Sequence, residues 1–190
     1  MSNWKAPGPD FIQGYFIKYL KIVNEEVIEL MKEWYYEEEV NYEYCKANTT
    51  LLYKGGDKND VKNYRPISCA NIIYKIFTSI IQNKIKKELK DNNIEINKTQ
   101  YGCKNEVMAA KEALIINNNI QLLLKKEKTK YIEIYYDLVK AYDMINHKWL
   151  LEVLKEYKID NKIINIINNI INNIMNRNEI LQQHNKSRNN

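Results

Sequence analysis

The sequence predicts an α+β, helix-rich fold. Three observations predict it: long stretches with apolar residues at helical spacing, two short strand-like runs flanking a glycine loop, and a later run in which apolar residues alternate. The 190 residues are 45% hydrophobic and 28% charged, which is globular rather than disordered composition. That length is enough for one domain with a core.

Lys5-Ala6-Pro7-Gly8-Pro9-Asp10 reads as a turn. Its prolines fix φ, and Gly8 relieves the chain between them. Asp10 then caps a helix from Phe11 to about Glu38, where Phe16, Leu20, Val23, Val27, Leu30 and Trp34 recur at helical spacing. Glu37, Glu38 and Glu39 at its end oppose the helix dipole and predict fraying.

Thr49 to Tyr53 is strand-like by its β-branched and aromatic content. The loop 54–60 carries Gly55 and Gly56 with Lys54 and Lys58, and Tyr64 to Ser68 returns as a second strand. Pro66 marks that strand as an edge or a strand end. A hairpin with a Lys-bearing, glycine-rich tip is expected.

Ile72 to Lys90 is an amphipathic helix, with Ile73, Ile76, Phe77, Ile80, Ile81, Ile85 and Leu89 as its apolar stripe and a basic end. A polar loop leads to a helix from Glu106 to Lys125. Tyr131 to Asp137 alternates as a strand and ends on Asp137. Trp149, Leu150, Val153, Leu154 and Tyr157 mark another helix, and Ile163 to Leu181 repeats Ile at helical spacing with Asn between. No internal repeat and no Pro- or Ser-rich linker divides the chain.

The net charge is +5 with pI near 8.9, a mild excess that fits contact with phosphate but does not require it. The cations are nearly all Lys, with Arg at Arg65, Arg177 and Arg188. The Lys, Asn and Ile bias is what A/T-rich codons produce, so the Asn runs are discounted as functional signals. Cys45, Cys69 and Cys103 have neither metal-site nor redox spacing, and their odd number argues against a disulfide framework. His147 and His184 lack partners at ligand spacing. No signal peptide opens the sequence, and the apolar stretch around Ile72 to Ile81 is too short and too interrupted to span a bilayer. An intracellular, reducing setting is expected, with no membrane partner.

Chemistry is expected first at Asp137. A carboxylate ending a strand with a buried face is costly unless solvated, paired or holding a cation. Two-metal phosphoryl transfer places carboxylates at such positions. The plain alternative, that Asp137 ends the strand and caps a turn, stays open, and Asp143 reads first as a helix cap. Tyr142 fits either a core aromatic or a platform beneath a nucleotide sugar. Arg65, beside Lys54, Lys58 and Lys62, suits bidentate phosphate contact, or forms a solvated hairpin rim.

Five blocks in order then carry a resemblance: Lys5 to Asp10, Asn63-Tyr64-Arg65-Pro66-Ile67-Ser68, Tyr74-Lys75-Ile76, Gln100-Tyr101-Gly102-Cys103, and Asp137-Leu138-Val139-Lys140-Ala141-Tyr142-Asp143. Together they resemble the reverse transcriptase domain of non-LTR (LINE-type) retrotransposons, most of all the clades that carry a restriction-like endonuclease. The resemblance runs from Asn3 to about Asn173.

It implies the fingers and the first part of the palm of a right-hand polymerase fold, incomplete. Residues 1–130 would be fingers; 131–190 would be the first palm strand and the helices after it. The implied reaction is addition of dNTP to a DNA primer on an RNA template by two-metal catalysis with Mg2+. Asp137 matches a catalytic, metal-binding aspartate, with the Leu138 backbone carbonyl on the second metal. Arg65, Lys54, Lys58, Tyr142 and Gln100 match dNTP-pocket positions, and Lys5 and Gly8 match template-binding positions. A nuclear setting would follow if the parent element's role is kept.

The sequence departs from the family pattern at three points. Phe11 stands where the family has Gly, and Tyr142 stands where it usually has Phe. No Y/F-x-D-D block with the remaining aspartates follows Asp143, and Asp160 is the only later Asp. The 190 residues are therefore expected to be inactive alone, with an unpaired palm-strand edge open to association with the rest of a palm; the alternative is a non-catalytic RNA-binding remnant or an inert relic of a transposable element.

Overall fold

In the computed structural model, residues 4–97, 99–102, 110–138, 141 and 144–187 are described, with side chains as far as residue 175. The chain forms two compact units, one of Met1–Asn92 with His147–Asn190, the other of Asn93–Asn146. These are units of packing. The division at residue 130 drawn from the resemblance is one of role, and the two do not coincide.

The first unit is a helical body with one hairpin. The expected long first helix is broken into α1 (Gly14–Tyr19) and α2 (Lys21–Glu37), with Leu20 extended between them at φ −98°, ψ 105°. Asp10 does not cap it. Its Oδ1 instead accepts from the Ile12 N–H at 3.1 Å, and the helix begins three residues beyond Phe11 after Gln13. Phe11 itself sits at φ 57°, the left-handed conformation that favours glycine, and its N–H bonds the Gly8 carbonyl at 3.1 Å. The tight turn thus forms despite the missing glycine.

The end of α2 is held rather than frayed. Glu38 takes a left-handed cap conformation at φ 60°, and its carboxylate accepts from Asn165 at 2.7 Å and lies 3.9 Å from the Lys162 ammonium. A neighbouring cation offsets what the helix dipole disfavours.

A short helix, α3 (Tyr42–Cys45), is capped by the Asn41 side chain. It leads to β1 (Ala47–Tyr53), which pairs antiparallel with β2 (Tyr64–Ala70) in the register Tyr53↔Tyr64 to Ala47↔Ala70. The sheet has these two strands, so Pro66 costs no ladder bond on its outer side. From β2 the chain enters α4 (Ile72–Asp91), as the apolar stripe predicts.

α6 (His147–Glu156) ends in a Schellman motif. The Ile159 N–H bonds the Leu154 carbonyl, the Lys158 N–H bonds the Lys155 carbonyl, and Lys158 is left-handed at φ 53°. The end of α4 clamps this turn: Asn92 donates to the Tyr157 and Lys158 carbonyls, and Glu88 accepts from the Asp160 N–H at 2.8 Å. Asp160 then caps α7 (Asn161–Ser187) by accepting from the Lys162 N–H.

The core lies among α2, α4 and α7. Trp34 meets Phe77 and Tyr44 edge to face at 5.2 and 4.9 Å, and Val27, Ile73, Ile81, Ile163 and Ile166 close around the helices. The Ile repeat of α7 is therefore a core stripe, not a compositional accident. The Asn residues between are also structural. Val40, wholly buried, gives its N–H to Asn169 at 3.0 Å and takes a bond on its carbonyl from Asn173 at 2.8 Å. Discounted as functional signals, the Asn runs still carry structure at Asn165, Asn169 and Asn173. Their i, i+4, i+8 spacing aims one face of α7 at the link between α2 and α3, Asn165 at the Glu38 carboxylate and the other two at the Val40 backbone.

The second unit holds α5 (Ala110–Lys126) and an extended segment, 131–138. The start expected for α5 at Glu106 lies outside the described residues. The expected strand at Tyr131 to Asp137 is not formed. A strand exists by backbone bonding to a neighbour, and among the described residues this segment has none. It is held by side chains on α5 instead: Asn117 donates to the Tyr135 hydroxyl at 3.0 Å and Gln121 to Glu133 at 2.8 Å. No described residue of this unit is buried, and Ile132 and Tyr136 are each 89% exposed.

Candidate functional site

The hairpin brings Lys54, Lys58, Lys62 and Arg65 onto one projecting element, all exposed. Its tip is built rather than loose. Asp57 and Asp60 accept from the N–H groups of Asn59 and Lys62, each two residues on, as Asx turns. Asn63 donates to the Asp57 carbonyl at 2.8 Å, Tyr64 donates its hydroxyl proton to the Lys58 carbonyl at 2.9 Å, and Tyr53 donates to the Gly56 carbonyl. Gly55 and Gly56 have φ of 126° and 97°, which other residues rarely adopt. A Cβ on Gly56 would also lie 2.9 Å from the Asn63 amide.

The two acids of the tip thus spend one oxygen each on the backbone, and the cations stay outward. Lys58 lies 6.0 Å from the Tyr53 ring centroid, and the Lys54 ammonium reaches the Lys62 carbonyl at 3.5 Å. Among the described residues, none of these four cations is in a salt bridge. Arg65 pairs across the ladder with Leu52, so the two share a face of the hairpin, and Leu52 is 57% exposed.

The turn that carries Lys5 and Gly8 is tied to the base of this hairpin. Asn71, buried between β2 and α4, accepts from the Asp10 N–H at 3.2 Å and donates to the Glu43 and Tyr44 carbonyls at 3.3 Å. Gly8 is buried there, and a Cβ on it would come within 2.4 Å of the Asn71 Oδ1 and 2.7 Å of the Ala70 carbonyl carbon. That close approach gives Gly8 a packing reason to be glycine. Lys5 is exposed. Sequence reasoning passed over Asn71, although Asn between a strand and an apolar helix is a cap signal that marks it.

Asp137 and Leu138 are on the extended segment of the second unit, both exposed. Gln100 is also in that unit, exposed, with its amide donating to the Gly102 carbonyl at 3.3 Å. Tyr142 and Asp143 lie outside the described residues. Glu133, four residues before Asp137 on the same segment, is held below the usual carboxylate range by its hydrogen bond with Tyr135, with Gln121 and Asn117 adding to it. It is committed to α5. Among the described residues no cluster of three metal-ligating side chains forms.

Structure and surface therefore define a helical body that projects a small cationic hairpin, with a separate unit that carries an exposed carboxylate. Residues 56–189, most of the chain, match the family model "Reverse transcriptase (RNA-dependent DNA polymerase)", and the chain belongs to that family. It is 25% identical over 112 residues to the Retrovirus-related Pol polyprotein from type-1 retrotransposable element R2 of Popillia japonica. The aligned region is 59% of this chain and 15% of that polyprotein. The chain is a stretch of reverse transcriptase domain of the non-LTR kind.

Proposed function

We propose that this chain supplies the template- and nucleotide-holding side of RNA-directed DNA synthesis, as the fingers and first palm segment of a reverse transcriptase. The observation that carries the reading is the hairpin. Four exposed cations stand on a tip stiffened by its own Asx turns and tyrosines, with no described acid paired to any of them. Phosphate backbones are what such a surface suits, because neutralising them releases counterions. Arg65 supplies a planar fork for phosphate oxygens, and Lys54 and Lys58 supply point charge.

Asp137 would be one ligand to catalytic Mg2+, with the Leu138 carbonyl beside it, once other carboxylates complete the pair. No step is assigned to these 190 residues alone. RNA template, DNA primer and dNTP are the partners this reading implies.

Binding of a labelled single-stranded RNA as salt is raised tests it. Replacing Lys54, Lys58 and Arg65 together by Ala is expected to flatten the slope of log affinity against log salt by roughly 0.7 per lost phosphate contact. An unchanged slope, with helix content intact by circular dichroism, would remove the hairpin from the interface.

A further inference from the structure

We propose that α1 and the turn before it form a stacking platform for the bases of single-stranded RNA, separate from the phosphate-holding hairpin. The inference rests on the reading of the chain as RNA-binding and gives that reading a second contact surface.

α1 buries Gly14 and Ile17 and turns Tyr15, Phe16 and Tyr19 outward. Trp4 lies on Tyr15 nearly parallel, with centroids 5.2 Å apart and planes 13° apart, and Tyr19 follows at 4.8 Å from Tyr15. Tyr15 stacks on one face of Trp4, and the residue remains 70% exposed. Open aromatic area of this kind is costly in water unless a partner covers it. A stack already begun offers the next flat ring a ready surface.

The charge around the platform selects the partner. Lys5, Lys18 and Lys21 are exposed, and Lys18 also lies 5.2 Å from the Tyr19 centroid. Asp10 is the one acid between Trp4 and Asn24, and its carboxylate is turned inward: Oδ1 holds the Ile12 N–H and Oδ2 is buried. The acids resume at Glu25 on α2. Aromatic faces among outward cations suit a strand with both bases and phosphates. Unpaired bases stack on such faces whatever their identity, since every base has a π face.

Two labelled RNA strands of one length test this, one ordinary and one carrying abasic sites. The platform predicts that the chain binds the ordinary strand about tenfold more tightly, and that Trp4→Ala removes this preference while Trp4→Phe keeps most of it. The hairpin triple variant is expected to weaken both strands alike and leave the preference in place, so the two surfaces fail separately. Equal binding of both strands by the unmodified chain overturns the platform while the hairpin reading stands. So does a preference that survives Trp4→Ala, or a Trp4→Ala effect confined to self-association. Absence of any RNA binding overturns both.

Discussion

At the scale of single residues, several positions take conformations that their side chains resist. Phe11 is the clearest case. It is 77% exposed, so its ring contributes little burial, yet its backbone is left-handed. Such a conformation costs an L-residue roughly 1–2 kcal/mol, partly offset in a glycine variant by the greater freedom of the unfolded chain. Phe11→Gly is therefore expected to stabilise the chain by about 0.5–1 kcal/mol, read as a higher denaturant midpoint at unchanged slope.

Tyr74 makes a second residue-level prediction. Burial pushes its hydroxyl up to about 12, and the neighbouring Cys45 thiol is raised by burial as well. Above the ordinary tyrosine value the unfolded chain loses this proton while the folded chain keeps it. Unfolding then releases a proton, so stability falls as pH rises between about 10 and about 12 and is fully present below that window. Thermal midpoints across this range are expected to decline less steeply in Tyr74→Phe.

At the scale of elements, α7 acts as a template for the link between α2 and α3. Its Ile face fills the core, and Asn169 and Asn173 satisfy both backbone groups of the buried Val40. An orphaned buried N–H or C=O costs about 1–3 kcal/mol. Asn169→Ala and Asn173→Ala are each expected to lose stability in that range by chemical denaturation. Asn165→Ala, which breaks an exposed bond to Glu38, is expected to cost under about 0.5 kcal/mol.

Elements also divide what the sequence makes legible from what it hides. The hairpin and α4 were readable because strand composition, glycine punctuation and a helical apolar stripe are local signals. The break at Leu20 was not, because the spacing of Phe16, Leu20 and Val23 continues through it. The Asn ladder was hidden by composition: a residue overused everywhere carries no positional signal until a partner is seen. Tyr131 to Asp137 alternates as a strand does, but alternation records a face to be covered and not a neighbour to bond. The candidate site shows the same division. The cations of the hairpin were visible as residue types, whereas the Asn71 staple at its base emerges from tertiary contacts.

At the scale of the whole molecule, the two units differ in how they are held. The first has a continuous core around Trp34 and Phe77. The second buries none of its described residues and holds its extended segment to α5 by polar contacts. Ile132, Ile134 and Tyr136 are left exposed on that segment, next to Asp137.

In the proposed function these residues hold RNA but do not copy it alone. Incorporation of labelled dNTP on a primed RNA template with Mg2+ tests this most directly. No incorporation above background is expected from the 190-residue chain at concentrations where it binds the template. Incorporation by that chain, abolished by Asp137→Ala, would contradict it.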